Sequence, residues 1–90
     1  MLTEEQLPIS IDTAVEILGH IFAKTSMRHA VAEGEERIRL QSELDQLKKE
    51  EDMLYGVGCS DEERLSLYQK ITHTYAPLVK DDYSRGSANI

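Results

Sequence analysis

Between Pro8 and Pro77 the chain has no proline, and glycine falls only at positions 19, 34, 56 and 58. A stretch so free of helix breakers, rich in leucine and long charged side chains and poor in β-branched runs, commits the fold to α-helix. The expected architecture is all-α: a three-helix bundle or helical hairpin with a short coiled-coil-like second helix and a flexible C-terminal tail. The 90 residues make one helical domain over 1–79 and a polar tail over 80–90. A chain this short buries only roughly 60–65% of the surface that its unfolded form exposes. Oligomerisation or a bound partner is the usual supplement when disulfides and metals are missing.

The first helix starts near Ser10, Asp12 or Thr13, and Thr13-x-x-Glu16 has the form of a capping box. Its apolar face runs Ile11, Val15, Leu18, Phe22, widened by Ala14, Ile17 and Ile21, which makes it the main core element. The following stretch carries two stripes. Met27, Val31, Gly34 and Ile38 share one face, whereas Leu40, Leu44, Leu47 and Leu54 lie on a face rotated by roughly 150–180° at 100° per residue. Gly34 costs about 1 kcal/mol relative to alanine inside a helix, so a break or bend is expected there. Gly56-Val57-Gly58-Cys59 reads as a turn, and Ser60-Asp61-Glu62-Glu63 as a capping box with acids in the first turn. Leu65, Tyr68, Ile71 and Tyr75, with Leu67 alongside, form the inner face of the third helix, which Pro77 ends. The three helices are predicted near 10–31, 35–55 and 60–76.

The formal net charge of −7, from seventeen acids and ten bases, argues against direct contact with nucleic acid, because phosphates are held by Lys and Arg. An acidic surface instead suits a basic partner, or mimics a nucleic acid toward a protein that binds one. Cys59 is the only cysteine, so no internal disulfide forms. No window approaches a membrane span, and the N-terminus lacks the basic start of a signal peptide. The expectation is an intracellular, cytoplasmic protein with no membrane contact. His20, His29 and His73 match no zinc spacing. Fourteen residues of helix would set Cys59 and His73 roughly 20 Å apart at 1.5 Å per residue. Gly56-x-Gly58 lacks the lysine of a phosphate loop. No catalytic, cofactor-binding or metal residues are assigned, and no cofactor or enzyme activity is expected.

The heptad is the informative pattern. With Leu40, Leu47 and Leu54 at d, the a positions are Arg37, Leu44 and Glu51 and the g positions Glu36, Glu43 and Glu50. A leucine column flanked by a glutamate column has the form of an interhelical seam. These nine residues are the candidate partner-binding set. A parallel homodimer through 36–54 would stack Arg37 on Arg37 and Glu51 on Glu51, so helix three, an antiparallel copy or a different protein is expected to cover the seam. A homo- or hetero-oligomer stays open on this reading.

The run Arg64-Leu65-Ser66-Leu67-Tyr68-Gln69-Lys70-Ile71-Thr72, behind the Leu40–Glu51 coil, resembles one stretch of a known family. That family is the smallest coiled-coil subunit of the four-protein outer-kinetochore complex that grips microtubules. In it a coiled coil leads into a short Leu-Tyr-x-x-Val/Ile-Thr/Ser helix before a small globular head. The resemblance implies scaffolding by helix pairing, with Leu40–Tyr75 as the contact surface; the N-terminal third has no counterpart. Size, charge and the lack of a site point to another role: an acidic module that blocks or neutralises a partner, as antitoxins, immunity proteins and phage-borne inhibitors do. The structural subunit is the alternative.

Overall fold

The computed structural model describes residues 3–88. Four α-helices follow a short 3-10 turn at Glu4–Gln6: α1 (Ile11–Val31), α2 (Gly34–Leu54), α3 (Asp61–Lys70) and α4 (Ala76–Ala88), with a π-helical turn, Ile71–Tyr75, joining the last two. No strand occurs among the described residues, and the fold is all-α as the composition requires.

Ser10 opens α1, its hydroxyl accepting the Thr13 amide at 3.2 Å. The expected Thr13–Glu16 box is therefore not the cap: Thr13 already lies inside the helix, and its hydroxyl accepts a hydrogen bond from that of Ser10. The break expected at Gly34 occurs. α1 stops at Val31, and Gly34 begins α2 with φ +63°, a left-handed conformation that costs residues bearing a Cβ about 1–2 kcal/mol. With a link of only two residues, Ala32 and Glu33, α1 and α2 return antiparallel. Val15 accordingly lies level with Leu54, and Thr25 level with Glu43.

The capping box at 60–63 forms in full. Ser60 Oγ accepts the Glu63 amide, and Glu63 Oε1 accepts the Ser60 amide, both at 3.2 Å. The bond from the Ser60 backbone, then that from its hydroxyl, holds the Glu63 carboxyl below its ordinary range. The box is thus complete at neutral pH and weakens as pH falls through that lowered value. Ser60→Ala is expected to cost about 0.5–2 kcal/mol, read as a lower melting temperature; an unchanged melt would show that the cap carries no stability.

Helix three does not end at Pro77, and residues 80–88 are helical rather than a flexible tail; the last two positions of the expected tail lie outside the described residues. Proline lacks the amide hydrogen and its ring clashes with the carbonyl four residues back, which normally stops a helix. Here the Ala76 amide bonds the Ile71 carbonyl, five residues back. This wider turn resets the helix, so Pro77 stands in the first turn of α4, where its missing N–H costs least.

The core joins Leu7, Ala14, Leu18, Leu47, Leu54, Leu67, Tyr68 and Ile71, with Ile11, Val15, Ile17, Ile21, Phe22 and Tyr75 packed around it. The predicted face of α1 is there in full; of the face predicted for helix three, Leu67, Tyr68, Ile71 and Tyr75 are there, whereas Leu65 is half-buried outside the cluster. Tyr68, fully buried, donates its hydroxyl to the Leu54 carbonyl at 3.0 Å, and Arg64 Nε donates to the same oxygen at 3.0 Å. That carbonyl is one of those that the end of α2 leaves unpaired within the helix, so α3 caps α2 while packing on it.

Candidate protein-binding surfaces

The leucine seam is spent inside the molecule. Leu40, Leu47 and Leu54 are 1%, 5% and 0% exposed, and Leu44 is half-buried. α1 is the main cover on α2, with α3 closing the far end; helix three alone was the expected intramolecular cover. α1 brings three of the chain's seven isoleucines, Ile11, Ile17 and Ile21, and its only phenylalanine, Phe22, to that cover. These leucines are covered within the chain itself; along Leu40–Tyr75, the stretch that the kinetochore resemblance implies as a contact surface, the buried residues are Leu40, Leu47, Glu50, Leu54, Leu67, Tyr68 and Ile71.

Glu50 also departs from its expected place on a rim. It is 3% exposed and accepts Lys70 Nζ at 2.8 Å and the Tyr75 hydroxyl at 2.9 Å. α3 and the π turn cross α2 at that point, which turns a rim position into an interior one. The remaining polar members of the set, Glu36, Arg37, Glu43 and Glu51, are exposed on α2. They share no single site: Glu43 borders a cleft with Ile21 and Tyr75, whereas Glu51 borders one with Val15 and Phe22.

Folding sorts the charges that looks scattered along the sequence. The antiparallel hairpin brings the start of α1, with Asp12 and Glu16, to the end of α2, with Glu51 and Asp52, where α3 begins with Asp61 and Glu62. All six acids are exposed, as are Tyr55 and Val57 in the turn between α2 and α3, at 58% and 59%. The opposite end, around the α1–α2 link, carries Arg28, Arg37 and Arg39 among Glu33, Glu35 and Glu36, together with exposed Met27, Val31 and Ile38. The stripe through Met27, Val31 and Ile38 was visible in the sequence. Tyr55 and Val57 were not singled out, since a turn residue gives no periodic signal.

The histidines and the cysteine do not converge. His20 meets Asp82 at 3.3 Å and the Tyr83 ring at 5.5 Å, tying α4 to α1 beside the Lys24–Asp82 pair at 2.7 Å. The hydrogen bond from Lys24, then that from His20, holds the Asp82 carboxyl below its ordinary range. Cys59 is half-buried, its thiol 3.8 Å from the Met53 carbonyl. Among the described residues no three metal-binding side chains stand together, and no helix is long and apolar enough to cross a membrane.

Comparison with protein-family models, with curated proteins and with solved structures finds no match to this chain.

Proposed function

We propose that the chain is a non-enzymatic, acidic helical interaction module that binds a protein with a basic surface and thereby blocks or neutralises it. One observation carries this reading: acids stand at the wrong end of a helix. The last turn of α2 holds Glu51 and Asp52 and no base. Carboxylates beside the negative end of a helix dipole cost about 0.3–1 kcal/mol each at an exposed site. Asp12, Asp61 and Glu62, by contrast, sit in first turns and help their helices to start. Glu51 and Asp52 thus oppose stability, and binding is the counterweight this reading supplies. Tyr55 and Val57 beside them add apolar contact area of the kind found at interface centres, within a polar rim.

The test is the double reversal Glu51→Lys/Asp52→Lys. It is expected to raise the melting temperature while abolishing capture of a basic partner by the immobilised protein, a split that damage to the fold cannot produce. Binding by the unaltered chain should also weaken as salt rises, since exposed pairs are screened within about 8–10 Å at physiological ionic strength. Capture that survives the reversal, or an affinity indifferent to salt, would place the contact elsewhere.

A further inference from the structure

We propose that the trough between α2 and α4, floored by Ile21 and Thr25 of α1, docks a short amphipathic helix of a partner protein. That helix carries carboxylates where it passes Arg28 and Arg39. Two clefts share the floor. The one on the α2 side has a volume of about 460 Å³ and includes Leu47 and Tyr75 in its walls. The one on the α4 side, about 260 Å³, runs past Leu78, which is 52% exposed. Ile21 and Thr25 border both, so the two form one open trough, with α2 as one wall and α4 as the other. From Ile21 to Arg28 is two helical turns, roughly 10 Å at 1.5 Å per residue. A trough walled by helices and open along its length fits a helix of two to three turns, entering with apolar side chains at i, i+4 and i+7.

The charge of the rim selects the occupant. Asp82 is held by Lys24 and Glu50 by Lys70. Glu43 stands midway along the α2 wall, level with Thr25. At the end toward the α1–α2 link the charges are Arg28 and Arg39. Among the described residues no carboxylate pairs with Arg28, and Arg39 reaches only Glu36, at 3.8 Å and with both side chains exposed. Of the acids at that end of the molecule, Glu33, Glu35 and Glu36, none lines the trough, so the charges that face it there are cationic and their complement is a carboxylate. The trough lies away from Tyr55 and the acids at the α2–α3 turn, so it is a second surface with the opposite preference. A chain using both would hold a basic and an acidic partner together.

The probes are two helix-stabilised fluorescent peptides, each with leucines at i, i+4 and i+7. One carries glutamates and the other lysines on the flank that faces Arg28 and Arg39. Anisotropy with the full chain should show the glutamate peptide binding roughly tenfold more tightly. Arg28→Glu/Arg39→Glu should invert that preference. Gln46→Trp, an exposed position on the α2 wall, should fill the cleft and weaken both peptides while the circular dichroism spectrum stays unchanged. Amide shifts on titration should cluster at Ile21, Thr25 and Leu78. No binding of either peptide, equal binding of the two, indifference to Gln46→Trp, or shifts centred on Tyr55 would each overturn the proposal. So would a concentration-dependent dimer abolished by Gln46→Trp, which would assign the trough to a second copy.

Discussion

Tyr68→Ala is expected to destabilise the fold by roughly 3–5 kcal/mol, close to the whole stability of many small domains. Three losses coincide. A fully buried aromatic ring leaves a cavity among Leu54, Leu67 and Ile71. The Leu54 carbonyl loses one of its two side-chain donors. Arg64, whose guanidinium lies 5.8 Å from the ring centroid, loses the surface that orients it. Tyr68→Phe separates the terms: it keeps the ring and leaves Arg64 on the carbonyl, so only about 1 kcal/mol should go. Urea titrations of the three proteins measure both steps. Equal losses for the two variants would mean that the hydroxyl, and not the ring, holds α3 on α2.

Lys70→Met is expected to cost about 2–3 kcal/mol at neutral pH, because it strands the carboxylate of Glu50 in the interior with Tyr75 as its remaining partner. The figure lies below that for a wholly buried pair because the Lys70 side chain is 45% exposed and its charge is partly screened. Glu50→Leu/Lys70→Met should recover most of the loss, since an apolar residue then fills the same space. A double variant no more stable than Lys70→Met would show that the charge was never the source of the cost. The same network makes the protein sensitive to alkali. Burial pulls the Lys70 ammonium down, but its bonds to Glu50 and Tyr75 outweigh this and leave it above its ordinary value. Burial, above all, pushes the Tyr75 phenol up. Each group holds its proton more tightly folded than unfolded, so its contribution is complete below about pH 10 and is lost as pH rises through the raised values. Stability should therefore fall above about pH 10, and fall less in the double variant.

Helix identity and caps were legible where the signal is local. Ser60 with Glu63, the break ahead of Gly34 and the stripe of α1 each depend on residues close to one another in the sequence. Two things were not. The helical wheel shows that Leu40, Leu47 and Leu54 need a cover but not whose, since one apolar stripe packs equally well on the same chain or on another. Nor could it show Glu50 turning inward, because that follows from the angle at which α3 crosses α2. The two surfaces proposed for partners are of the same kind: the acids of α1 approach those of α2, and Arg28 comes to the same trough as Arg39, only once the helices pack. Pro77 misled for another reason. A rule about ideal α-helix says nothing of a five-residue turn just before it.

That turn sets a phase. A π turn amounts to one residue added to an α-helix, and one residue is about 100° of rotation. Everything beyond Tyr75 is thereby dialled by that angle relative to α3. With it, Val79 is buried and Asp82 meets Lys24 and His20. Deleting a single residue from Ile71–Tyr75 would leave a helix of nearly the same length and composition but aim Val79 and Asp82 about 100° away from α1. The side chains that fasten α4 would all still be present, and none would find its partner.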